Sequence, residues 1–170
     1  PHMGSLPGFL AALALCVLLT GIPRQTCAAL TLTGAGLSEG FTLTRFANNF
    51  ETFTGFGNTY GPLGIGFTQS GVLVTVASGK MYLFGSDTDN QNAATDATVT
   101  TNYGVFNALG MATSGGTTYL ATHFNHSVIR INPNGTPTGG LAAADNTPLL
   151  NSTRDIVINP ANGHLFVSSE

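Results

Sequence analysis

From Pro62 onward, apolar and polar positions alternate in short bursts separated by Gly, Asn, Asp and Ser, the pattern of short strands joined by tight turns. The burst Pro62-Leu63-Gly64-Ile65-Gly66-Phe67-Thr68-Gln69-Ser70-Gly71-Val72-Leu73-Val74-Thr75 reads as strand, polar turn and strand. The same plan returns over 108–121 and again over 154–167, where Asn162-Gly163 supplies a strong hairpin signal. Third strands are predicted at Lys80-Met81-Tyr82-Leu83-Phe84 and Ser127-Val128-Ile129-Arg130-Ile131, each ending in turn-forming residues. Fourth strands follow at Ala97–Thr101 and, with a weaker pattern, at Thr138–Ala142. Upstream, Phe41-Thr42-Leu43-Thr44-Arg45-Phe46 also alternates and predicts an outer strand within Ala29–Phe50.

The spacing of these bursts gives the architecture. Gly64 aligns with Gly110 and Gly110 with Asp155, at offsets of 46 and 45 residues, and propeller blades repeat every ~40–50 residues. The expected fold is all-β: about two and a half β-propeller blades, starting near 62, 108 and 154, with an N-terminal strand region over 29–61. A β-sandwich is the alternative all-β reading, but it requires no repeat of fixed length. Closed propellers need ~4–8 blades, so the period predicts a ring completed by units beyond Glu170.

The run Leu6 to Leu19 breaks the alternating pattern, being almost wholly apolar, and is followed by Gly21-Ile22-Pro23 and Thr26-Cys27-Ala28-Ala29. This reads as a signal-peptide helix over 6–28, since a bilayer span needs ~20 apolar residues and small residues suit cleavage. The basic start of such a signal is missing; Pro1-His2-Met3-Gly4-Ser5 resembles a cloning scar or a clipped start. With cleavage near Ala28, both cysteines leave and disulfides cannot stabilise the product. Neither Cys16 nor Cys27 follows the small residue usual at a lipid attachment site. The expected location is extracytoplasmic: secreted, periplasmic or cell-surface, with the membrane reached only through the export signal or a further C-terminal anchor.

Composition agrees with strands and turns. Charged residues make up 8% of the chain against an ordinary ~25%, whereas 22 Gly, 24 Thr and 14 Asn supply turn-formers and β-branched side chains. Only 5 Lys and Arg accompany the net charge of −3, so no basic patch exists to neutralise phosphates. Nucleic acid is excluded as an expected partner.

The second unit, from Leu109-Gly110-Met111-Ala112 through Tyr119-Leu120-Ala121-Thr122-His123-Phe124-Asn125-His126-Ser127-Val128-Ile129-Arg130-Ile131-Asn132-Pro133-Asn134-Gly135, resembles an NHL-type repeat. Blades of that family run as a Gly-Ile-Ala-Val strand, a turn, a Val-Tyr-Val-Ala strand, a small polar turn, and an apolar strand ending in Asp-Pro-Asp-Gly. The other two units match more loosely, and the resemblance spans 62–170. It implies a six-bladed-like propeller fold and carries little about activity.

Propeller ligands sit at the central channel or on the loops of one face, which directs attention to the starts of inner strands and to second-to-third-strand turns. Four candidates stand there: Arg154 and Asp155 before the inner strand Ile156–Ile158, and His123 and Asn125 in the turn 122–127. The units also resemble gluconolactonase-like propellers, in which acidic and Asn residues at comparable positions hold a catalytic metal. That resemblance implies a divalent cation, calcium or zinc, near Asp155; the equivalent positions here are Gly64 and Gly110, without side-chain ligands. The plainer role for Asp155 is a turn salt bridge or strand cap. His123 and His126 lack a third ligand and read as turn residues, and His164 reads as a surface strand residue.

Asp87-Thr88-Asp89-Asn90-Gln91-Asn92 lacks the sixth-position Gly and terminal Glu of a calcium loop. Three Asn-X-Ser/Thr sequences, at Asn125, Asn134 and Asn151, arise readily in an Asn- and Thr-rich chain. Neither a Gly-x-Ser-x-Gly elbow nor a phosphate loop occurs. The expected function is a non-catalytic secreted binding or scaffold module for a protein, glycan or small molecule. The alternative is a metal-dependent gluconolactonase-like hydrolase completed by further blades.

Overall fold

The computed structural model describes residues 31–143 and 152–169. The predicted signal 6–28 and the segment 1–5 lie outside the described residues. The chain divides into two units between Leu43 and Thr44. In the first, helix α1 (Gly34–Ser38) starts on Thr33, whose Oγ1 accepts the Gly36 N–H at 3.2 Å. The alternation over Phe41–Phe46 forms no strand. No helix among the described residues is long and apolar enough to cross a membrane.

The second unit is all-β. Its strands are β1 (Ala47–Asn48), β2 (Phe53–Gly55), β3 (Asn58–Tyr60), β4 (Pro62–Thr68), β5 (Gly71–Val76), β6 (Lys80–Phe84), β7 (Gln91–Asn92), β8 (Ala97–Asn102), β9 (Ala108–Ser114), β10 (Thr117–Thr122), β11 (Ser127–Ile131), β12 (Pro137–Ala143), β13 (Thr153–Ile158) and β14 (Leu165–Ser169). They form small antiparallel sheets, none closed: β4-β5-β6-β8, β9-β10-β11-β12, and the hairpins β13-β14 and β2-β3. The expected outer strand, which would pair with the last blade, does not form at 41–46; instead β1 pairs in parallel with β7, in the loop between β6 and β8 of the first sheet.

Turn chemistry explains the hairpins. Gly115 and Gly116 both have positive φ, 57° and 76°, in the two-residue loop between the paired Ser114 and Thr117, as a type I′ turn requires. Asn162-Gly163 does end a hairpin, but in a longer loop: Asn159 N–H donates to His164 O at 2.8 Å, with Pro160–Gly163 between them.

Three apolar clusters form the core, two of them between successive sheets. On one side of the first sheet, Val72, Val74, Val76, Tyr82 and Phe84 are covered by Phe46 and Phe50. From the opposite side of β5, Leu73 joins Met81, Met111, Leu120 and Ile131 between the first and second sheets. Ala121, Val128 and Ile156 close the step to the third. Both faces of β5 are therefore buried, which explains its unbroken apolar run. At the rim, the Asn132–Gly135 turn docks on the first sheet: Tyr103 Oη donates to Gly135 O and Thr68 Oγ1 to Pro133 O, both at 2.7 Å. Burial pushes the Tyr103 hydroxyl's pKa well above its ordinary value.

Candidate functional site

The first strands of the sheets, β4, β9 and β13, run side by side. β4 and β9 come close because their alternate residues are small. A Cβ on Gly64 would collide with Leu109 O, and one on Gly110 with the Asp155 carboxylate and, at 2.7 Å, with Asp155 Cα. Each of these strands has a ladder partner on one edge only. Along them lies a cleft of about 570 Å³, with a floor of Leu63, Gly64, Ile65, Leu109, Gly110 and Met111. Tyr60 and Phe106 wall one side, and Arg154 and Asp155 complete the lining. Small-ligand sites commonly enclose ~300–1,000 Å³ and combine apolar walls with a few polar groups.

The aromatic wall comes from the β2-β3 hairpin and the β8–β9 loop. Phe106 meets Tyr60 at a 4.9 Å ring separation and 85°, and Phe53 at 5.3 Å and 84°, both edge to face. Phe56, 84% exposed at the tip of β2-β3, lies 6.1 Å from Phe106. Phe56 and Phe106 both hold left-handed backbone, φ 50° and 54°, a conformation that bulky residues adopt at a cost. Asn107 fixes the Phe106 loop: its Nδ2 donates to Tyr103 O, and its Oδ1 accepts the Phe124 N–H, both at 2.9 Å.

Arg154 and Asp155 thus line the cleft together and are exposed. Both lie inside β13 rather than ahead of it, and Asp155 Oδ1 accepts the N–H of the next residue, Ile156, at 2.8 Å. His123 and Asn125 occupy the β10–β11 turn, at the same end of the sheets as the start of β9, since Thr122 pairs with Ala108. They do not line the cleft. His123 N–H donates to Asn107 O at 2.8 Å, and His126 Nδ1 accepts the Ser152 N–H at 2.8 Å. His126 therefore ties the turn to Ser152, just ahead of β13, whereas the His123 backbone ties it to the β8–β9 loop.

Among the described residues, no three His, Cys, Asp or Glu side chains converge on one point. Gly64 and Gly110 offer no side-chain donor beside Asp155, so the ligand set implied by a lactonase-like metal site does not fit these residues. The Asp87–Asn92 loop spends its polar groups internally and on the segment before β1: Asp89 Oδ1 accepts from Thr44 Oγ1 at 2.8 Å, and Gln91 Nε2 donates to Thr88 O at 2.9 Å. Beyond it, the Asn92 N–H and the Thr95 hydroxyl hold the Asp96 carboxyl below its ordinary pKa.

Tyr60 and Phe106 are the cleft residues that the sequence reading passed over. A signal for Tyr60 existed in Phe53-Thr54-Gly55-Phe56-Gly57-Asn58-Thr59-Tyr60, where a Gly/Asn turn sits between aromatic positions; Phe106 sits in a loop with no periodicity. Comparison with known proteins finds no matching family model, no matching curated protein and no matching solved structure.

Proposed function

We propose that the chain is an exported, non-catalytic binding module of the β-propeller kind, with its ligand held in the cleft along the first strands. The observation that carries this reading is the cleft itself, where two aromatic rings, Arg154 and Asp155 line an apolar floor. The propeller reading is supported by the fixed period and by four-stranded meanders that pack through their first strands in chain order. Export rests on the Leu6–Leu19 run. The partner is a protein, glycan or small molecule seated against aromatic and backbone groups; a lone carboxylate among glycines is a poor cation site.

The test sets this against metal-dependent hydrolysis. Purified chain is dialysed against calcium and against zinc, analysed for bound metal, and assayed with gluconolactone. The expected result is no stoichiometric metal and no turnover above buffer. One metal per chain together with lactone hydrolysis would replace the binding module with a hydrolase.

A further inference from the structure

Resting on the binding-module reading, we infer that the cleft takes a neutral saccharide. Three features of its lining converge on a ligand that is apolar on one face and rich in hydroxyls around its rim. Tyr60 and Phe106 meet at 85°, so together they form a corner of aromatic surface against which the C–H face of a sugar ring can stack. β4, β9 and β13 each leave one backbone edge outside any ladder. Part of these edges is already engaged, since Leu109 O accepts from Thr75 Oγ1 and the Ile156 N–H donates to Asp155 Oδ1; the N–H and C=O groups left over supply both a donor and an acceptor, and a hydroxyl needs both. Arg154 adds a planar donor and Asp155 an acceptor.

The same lining disfavours charged ligands. Arg154 and Asp155 are the charged side chains of the cleft, adjacent and of opposite sign, so a phosphate or carboxylate would meet repulsion beside its attraction. Phe106, which lines the cleft, is held in left-handed backbone, and the cost of that conformation is expected where ring placement matters.

The experiment is saturation-transfer NMR followed by calorimetry on the whole chain. The probes are maltose, cellobiose, lactose and N,N′-diacetylchitobiose. At least one should bind saturably, with transfer strongest at the C–H protons of one ring face. Phe106→Leu and Arg154→Gln should each weaken it by about tenfold or more, about 1.4 kcal/mol, while Phe124→Leu, at an exposed turn outside the cleft, leaves it unchanged. Arg154 is exposed, so Arg154→Gln tests the site even if Phe106→Leu unfolds, and circular dichroism reports which variants fold. No binding by any of the four sugars overturns the inference, as does binding that folded cleft variants leave intact. Saturable binding of free tryptophan without any sugar removes the saccharide and keeps the binding module. Lactone turnover with bound metal removes both.

Discussion

Gly64 and Gly110 first look like places where a metal-ligating side chain is missing, yet their role is steric. Each sits where one first strand presses on the next, and a Cβ at either would collide with Leu109 O or with Asp155. Overpacking of this kind typically costs ~1–3 kcal/mol, because the sheets must separate to admit a methyl. Gly61, immediately before β4, has no atom within 4 Å of a built Cβ and no left-handed φ. Alanine there removes only unfolded-chain freedom, a gain of ~0.4–1 kcal/mol. Gly64→Ala should therefore lower, and Gly61→Ala raise, the urea midpoint of unfolding. Equal and small shifts would mean that the close approach of β4 and β9 is absent in solution.

At the scale of elements, the hairpins were legible because local chemistry decides them. The third strands Lys80–Phe84 and Ser127–Ile131 coincide with the expected segments, since each is a short apolar, β-prone run bounded by polar turns. β12 runs Pro137–Ala143 despite its weak pattern; a Gly-rich outer strand is held by its ladder to β11, which no local signal reports. The same holds for β1, fixed by long-range bonds such as Gln91 N–H to Phe46 O at 2.9 Å. Asn107 is the clearest tie that sequence alone did not mark. It joins the β8–β9 loop to the β10–β11 turn through both ends of its amide while 7% exposed. Asn107→Ala strands the Phe124 N–H and the Tyr103 carbonyl, at a cost of ~1–3 kcal/mol. Hydrogen exchange should locate that cost, with the Phe124 amide losing protection before the β10–β11 ladder. Uniform loss across the second sheet would instead make Asn107 a global packing residue.

Across the whole molecule, the repeat lets one position be followed through successive sheets. Ile65, Met111 and Ile156 are equivalent at the observed offsets, and each points away from its following sheet. Met111 and Ile156 pack on the sheet before them and are 9% and 4% exposed, whereas Ile65 is 49% exposed beside Leu63 and Phe67. Phe46 and Phe50 cover the central strands β5 and β6 on that first face and leave an apolar groove of about 280 Å³ next to Ile65. The opposite end of the row offers no matching surface, since β13 carries Asp155 and Val157 where β4 and β9 carry the pairs Gly64, Gly66 and Gly110, Ala112. A second copy cannot repeat the internal packing without moving both side chains. Stability should therefore respond unequally to truncation along the repeat. Met111→Ala should cost ~2–5 kcal/mol through its cavity, and Ile65→Ser should stay within ~0.5 kcal/mol, as exposed sites do. Denaturant melts of the two variants, repeated over a tenfold range of protein concentration, decide the matter. If Ile65→Ser costs as much as Met111→Ala, and the cost grows with concentration, the first face is buried between copies in solution.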